Sequence, residues 1–251
     1  MSSKNAWYLR CSADEVGASA VLVGDRGRVH LAAELMEGSV LLNEDRGLTT
    51  ATGYYEGERI TVSAFGMGAP IAAVVMHELA DLGVKRFVRL GTVMTVGETQ
   101  LGELVVAHGA IRGESTSASY LPVEYPAVPD FALTAQLEAA VRAAGQPTRS
   151  GIYATYDGFY TEMFDTGVGV ERVADRYARL AKVGVVAADM ETSALFVAAR
   201  ALGVAAGSLC LASVAGTTNE KMAHADRVRS EAELLKAGFT ALAASAMPAG
   251  V

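Results

Sequence analysis

Two cysteines, four histidines, six prolines and one tryptophan in 251 residues leave several classes of protein without their raw material. Cys11 and Cys210 cannot build a disulfide framework, and Cys210, inside the apolar "SLCLAS", reads as a buried free thiol suited to a reducing compartment. His30, His77, His108 and His224 lack metal-ligand spacing; His30 with Glu34 and His77 with Asp81 fit ordinary i,i+4 helix-surface pairs, so no metal centre is expected. Positive charge is short as well. The 21 Lys and Arg against 28 Asp and Glu give a formal charge of −7, which argues against a nucleic-acid polymer as partner, because phosphate neutralisation needs a clustered basic face. No apolar run approaches a membrane span, and "MSSKNAWYLR" lacks the apolar centre of a signal peptide. The expectation is a cytoplasmic protein with no membrane partner. Familiar catalytic signatures are missing too: "GMGAP" (66–70) lacks the third glycine of a dinucleotide fingerprint, no G-x-x-x-x-G-K-[ST] loop occurs, and no G-x-S-x-G elbow supplies a serine nucleophile.

What the chain does hold is apolar surface. With 51% hydrophobic residues it can bury one large core, and apolar runs alternating with helical stretches indicate a single α/β domain over 1–251 rather than two small ones. "AVLV" (20–23), "SVLL" (39–42), "RITVSAF" (59–65), "RFVRL" (86–90), "GELVVAHGAI" (102–111) and "GSLCLAS" (207–213) are bounded by Gly or polar residues, the mark of buried strands. Helical periodicity covers 69–83, where Pro70 suits the first turn and Gly83 the end, and recurs over 133–145, 169–184, 190–203 and 229–245. Residues 114–132, rich in Ser, Pro and aromatics, read as a long surface loop of the functional kind.

Arginines stand at informative places in this order. "VLVGDRGRVH" (21–30) is a strand feeding a helix, and Gly24 to Arg28 at its tip call for an anion. Arg46 follows in "NEDRGLTT", and Arg89 with Thr92 in "RLGTV" ends a buried strand. A charge placed toward a sheet interior is costly unless it meets a fixed partner. For Arg89 alone, an ion pair with one of the acids explains it as well as a phosphate does.

The series "AWYLRCSADEVGASAVLVGDRGRV", "FGMGAPIAAVVMHELADLGVKRFVRLGT", "PVEYPAVPDF" and "DMETSALFVAARALG" spans nearly the whole chain. It resembles the nucleoside phosphorylases of the trimeric and hexameric type, the uridine phosphorylases most closely. The resemblance implies a three-layer α/β fold around a central mixed sheet. Gly24 and Arg28 match the family's first phosphate loop, Arg46 its phosphate arginine lent by a neighbouring subunit, and Arg89 and Thr92 its third phosphate segment. Met190 and Glu191 match the ribose-binding Met-Glu pair, whose glutamate accepts hydrogen bonds from ribose hydroxyls, and Phe159 matches the aromatic that packs on the nucleoside. Tyr8 stands where the family usually has a histidine from the adjacent subunit. Inorganic phosphate is then a co-substrate, no cofactor is implied, and the assembly is a homo-oligomer, a hexamer built as a trimer of dimers.

The resemblance breaks at the base. Uridine phosphorylases carry a Gln-x-Arg pair shortly after the aromatic and a later arginine; here "DGFYTEMFD" has neither, and the later position falls on Gly216. Purine-type members place an aspartate after a serine at the end of the last core strand, yet Ser213 is followed by Val214. Met94 replaces a glycine that lets the base approach the backbone, and Asp189 replaces a glutamate before the Met-Glu pair. Glu162, Asp157, Tyr156 and Tyr160 are the nearby polar candidates for a base contact, although such loop residues are more often solvated or packed. The expected activity is phosphate-dependent cleavage, or reverse formation, of a nucleoside glycosidic bond with a non-standard base. A water-using nucleosidase and a non-catalytic nucleoside-binding protein are the alternatives.

Overall fold

The computed structural model describes residues 4–244. The chain runs β1 (Ser19–Val23), α1 (Arg26–Leu35), β2 (Glu37–Asn43), β3 (Thr50–Tyr55), β4 (Glu58–Ala64), α2 (Ala69–Asp81), β5 (Arg86–Thr95), β6 (Leu104–Gly113), α3 (Phe131–Ala143), β7 (Thr148–Tyr156), α4 (Val173–Lys182), β8 (Val185–Asp189), α5 (Thr192–Leu202), β9 (Ala205–Val214) and α6 (His224–Ala244). The strands form one mixed nine-stranded sheet in the order β2-β3-β4-β1-β5-β8-β7-β6-β9, and β5 also pairs with β9, so the far end curls back on itself. Helices α1, α3 and α6 cover one apolar face and α2 with α5 the other, giving the expected three layers.

The register of β5 opens the site. β1 pairs parallel with β5 only from Ser19↔Arg86 to Leu22↔Arg89, whereas β9 follows the opposite edge of β5 from Arg86 to Met94. β8 takes over the β1 edge only at Met94 and Thr95. Between those partners, Gly91 to Val93 have no strand beside them on that edge. A gap at the carboxyl ends of parallel strands is where open α/β sheets bind ligands.

Several expectations are corrected. Three further strands, β3, β7 and β8, carry Thr, Gly, Ser or Ala rather than long aliphatic runs, which hid them from a hydrophobic-run criterion. The helix expected over 169–184 starts at Val173, α3 starts at Phe131, and α6 starts at His224; the Ser245 end of the last expected helix lies outside the described residues. The 114–132 segment is no free loop. It contains a short 3-10 turn at Thr116–Ser119, bridges Ala110 to Ala127, and is tied down by Arg112, which donates to Ser117 Oγ at 2.9 Å and to the Pro122 and Tyr125 carbonyls at 2.6 Å. The histidine pairs differ as well: His30 lies 4.0 Å from Glu44, and His77 Nδ1 lies 3.3 Å from the Tyr120 hydroxyl. No described helix is long and apolar enough to cross a membrane.

Candidate active site

A cavity of about 590 Å³ occupies the gap beside β5 and is lined from the ends of β1, β4, β5, β8 and β9 and from the segment after β7. At one end the exits of β1 and β4 are laced together, with Phe65 N–H donating to Val23 O and Gly66 N–H to Gly24 O, each at 3.0 Å. Gly24 is required there, since a Cβ would lie 2.9 Å from the Gly66 carbonyl. Asp25 caps α1 by accepting from Gly27 N–H at 2.8 Å, which places Arg28 in the first helical turn. Arg28 is buried and donates from Nη2 to Glu231 of α6 at 3.0 Å.

Arg89 reaches the same cavity from β5. A Cβ at position 91 would lie 2.3 Å from Arg89 Nη1, so the glycine in "RLG" leaves room for the guanidinium to fold back over its own strand. There Nη1 meets the Cys210 sulfur, while Nη2 pairs with Glu191 and lies 3.3 Å from Asp189. Burial opposes the charge, yet Cys210, Asp189 and Glu191 together hold this arginine well above its ordinary pKa. The Nε groups of Arg28 and Arg89 are the buried side-chain donors left without partners among the described residues. Two buried guanidiniums on residues lining one cavity make it suited to an oxyanion.

Glu191, between β8 and α5, accepts from Gly68 N–H at 2.7 Å with its other oxygen. Gly66 and Gly68 have φ of 84° and 102°, left-handed backbone that explains the glycines of "GMG" and presents the Gly68 N–H to the carboxylate. Asp189 is fixed separately by the Thr155 hydroxyl at 2.7 Å and by Thr192 N–H at 3.1 Å. The opposite end is apolar. Met94, Val214, Phe159 and Met163 line it, the last two carried by a single π-helical turn at Phe159–Met163.

Of the residues singled out from sequence, Gly24, Arg28, Arg89, Thr92, Met94, Phe159, Met190, Glu191 and Val214 are brought together around this cavity. Arg46 and Tyr8 are not: the Arg46 guanidinium lies over the Tyr8 ring at 5.3 Å, beside the site rather than in it. Glu162 does not line the cavity either; its carboxylate accepts from Gly158 N–H at 3.0 Å and pairs with Arg176 at 3.3 Å. Asp157 accepts from Ser115 N–H, Tyr156 is buried, and Tyr160 is 65% exposed. At Gly216 a side chain has no room, because the Tyr177 ring and the Thr95 carbonyl would lie within 2.3 Å of a Cβ. Sequence reasoning missed Met67 and Met163 as lining residues and the Gly68 N–H as a partner of Glu191. The paired glycines of "GMG" were the available signal for the last.

The phosphorylase superfamily model matches residues 19–245. Among similar proteins, a guanosine phosphorylase of Halorubrum lacusprofundi is 33% identical, over 87% of this chain and 88% of its own length. A uridine phosphorylase of Klebsiella aerogenes is 31% identical over 88% of this chain and 90% of its own length. A uridine phosphorylase of Thermococcus kodakarensis is 31% identical over 85% and 79%.

Proposed function

The chain belongs to the phosphorylase superfamily, and from that premise we propose that it is a nucleoside phosphorylase, a pentosyltransferase that uses inorganic phosphate to cleave or form a nucleoside glycosidic bond. The observation that carries this reading is the convergence of two buried arginines, Arg28 and Arg89, with Thr92 and Glu191 on one cavity. Phosphate held by these guanidiniums, with the Thr92 hydroxyl and the backbone at Gly24, lies in line behind the anomeric carbon. The C–O bond to phosphate forms as the bond to the base nitrogen breaks, and the base carries away the electron pair. Orientation and charge stabilisation then supply the rate without a covalent intermediate. Glu191, which shares Arg89 with the anion, accepts from the sugar hydroxyls, and Met190 packs on the sugar.

Arg46, next to the cavity-lining Gly47, and Tyr8 lie together outside the cavity of their own chain, which fits service to a neighbouring subunit's cavity; the hexamer of dimers is what the family resemblance implies. Two buried thiols suit a reducing cytoplasm. The base wall of Met94, Met163, Phe159 and Val214 offers no side-chain proton donor, so the substrate base is one that leaves readily without the usual uracil or purine contacts. A panel of nucleosides incubated with and without phosphate tests all of this by reading free base and sugar 1-phosphate. Uridine, inosine and adenosine should turn over poorly, with another base preferred and phosphate obligatory. Turnover into free pentose without phosphate means a nucleosidase; no turnover on any member means a binding protein. A kcat/KM near ~10⁵ M⁻¹s⁻¹ on uridine or inosine refutes the diverged pocket.

A further inference from the structure

Neither Arg176 nor Tyr177 lines the cavity, yet together they touch three parts of its apolar end. Both are buried on α4, Arg176 at 8% exposure and Tyr177 at 1%. Arg176 Nη1 donates to the Glu162 carbonyl at 3.4 Å and to the Glu162 carboxylate at 3.3 Å, and its Nε donates to Glu171 at 3.3 Å. Its guanidinium lies 5.0 Å over the ring of Tyr156, the last residue of β7. Glu162 in turn accepts from Gly158 N–H, so one carboxylate closes the π-helical turn that displays Phe159 and Met163. A Cβ at position 158 would lie 2.3 Å from Thr161 Oγ1 and 2.9 Å from the Glu162 carboxylate, so the turn is tightly wound. Next along the helix, the Tyr177 hydroxyl donates to Met94 Sδ at 3.8 Å, and its ring fills the space a side chain at Gly216 would need.

We propose that Arg176 and Tyr177 are positioning residues that set base selectivity: Arg176 fixes the turn carrying Phe159 and Met163, and Tyr177 fixes Met94 and closes off position 216. The inference rests on the phosphorylase reading and says which residues shape that site's base end. A planar fork held by a carbonyl, two carboxylates and an aromatic face is a rigid anchor that a lysine cannot reproduce. The side chains that hold Arg28 and Arg89 come from α6, β8, β9 and the start of α5, and none of them from α4. The phosphate end should therefore be indifferent to it.

Arg176→Met, Arg176→Lys and Tyr177→Phe would be compared with the wild type on the nucleoside panel, with KM for nucleoside and for phosphate measured separately and thermal unfolding followed in parallel. The expected result for Arg176→Met is a nucleoside KM raised by about tenfold or more, a changed ranking of bases, and a phosphate KM within about twofold of wild type. Arg176→Lys should recover little. Glu162→Gln should produce the same pattern in weaker form, and adding it to Arg176→Met should cost almost nothing more, because both act through one contact. Tyr177→Phe keeps the ring and removes only the hydroxyl, so it should shift selectivity at little cost in stability. Equal rises in both KM values, or unchanged base ranking in folded Arg176→Met and Tyr177→Phe, would overturn the proposal. A wild-type protein without phosphate-dependent turnover would instead overturn the functional reading, and that arm is read before any variant.

Discussion

Arg89→Met tests the anion site most directly, since it removes a guanidinium that is 5% exposed and keeps a similar apolar length. Losing a charge-assisted hydrogen bond in such a place costs about 1.5–3 kcal/mol. Asp189 and Glu191 then face the incoming phosphate with no cation between, which raises the loss to about 2–4 kcal/mol, or roughly 30-fold to nearly a thousandfold in Kd. The same change also destabilises the fold, because breaking a buried pair costs about 3–5 kcal/mol in general. Here the cost should sit below that range: Asp189 keeps Thr155 and Thr192 as donors, and Glu191 keeps the Gly68 N–H. Calorimetric titration of phosphate at constant ionic strength, run well below the melting temperature of each variant, separates the two effects. Arg89→Lys serves as the second arm; it retains a charge but not the planar fork whose separate nitrogens reach Cys210, Asp189 and Glu191, so an intermediate loss is expected. If folded Arg89→Met binds phosphate within about threefold of wild type, the anion is held elsewhere and the functional reading loses its foundation.

Subunit sharing predicts complementation: Arg46→Ala and Arg89→Met should each be nearly inactive alone, while mixed oligomers formed by subunit exchange regain activity, and no recovery on mixing would refute a shared site. Burial pushes the Cys11 thiol up to about 11 and raises Cys210 as well, so neither should react with a disulfide reagent near pH 8 until the protein unfolds; a thiol that reacts quickly in the native state contradicts the packing. Hydrogen bonds from Ser150 and His108 hold Glu138 below its ordinary pKa. A depressed folded pKa contributes stability that is full above the unfolded glutamate value, near about 4.3, and is lost as pH falls through the folded one. Glu138→Gln should therefore lower the melting temperature at neutral pH and converge with wild type in acid, and a gap that widens in acid would contradict this.

The anion end was legible because its residues are tied to local backbone. "GDRGR" needs a strand exit, a capping aspartate and a glycine 2.9 Å from a neighbouring carbonyl, and all three are read in one window of sequence. "RLGT" likewise encodes its own geometry, the glycine making room for the arginine two residues before it. What one sequence window could not give was the partner set. Arg89 meets Asp189 and Glu191 about a hundred residues on, so the ion pair and the phosphate reading of that arginine are not rivals: the carboxylates hold the guanidinium while its Nε stays unpartnered. The strands missed in sequence fail for a related reason. β7 carries one branched aliphatic residue, Ile152, and β8 is apolar but only five residues long, so in both the strand is set by pairing more than by a long apolar run.

The base end resists a sequence reading for a stronger physical reason. Glu162 was a reasonable donor or acceptor for a base as long as its loop was considered alone, but a carboxylate beside a buried arginine is already committed. Arg176 lies 14 residues away on α4, and no periodicity within "DGFYTEMFD" announces it. The same helix helps close position 216, where the Tyr177 ring and the Thr95 carbonyl together leave no volume for any side chain. Position 216, where the resemblance leads one to expect an arginine, is therefore packed shut from two sides, and its glycine is explained by that packing. It follows that restoring a single family residue should not restore uracil recognition: Gly216→Arg places a Cβ 2.2 Å from the Thr95 carbonyl and 2.3 Å from the Tyr177 ring, and must displace the end of β5 and α4 or unfold locally. The single change should lower the melting temperature and leave uridine turnover as poor as before. Adding Tyr177→Ala should not recover that stability, because the Thr95 carbonyl 2.2 Å from the Cβ stays in place and the lost ring leaves a cavity in the core. A single Gly216→Arg variant as stable as wild type would show that the ring and the end of β5 can both give way, and that this packing does not close the base end.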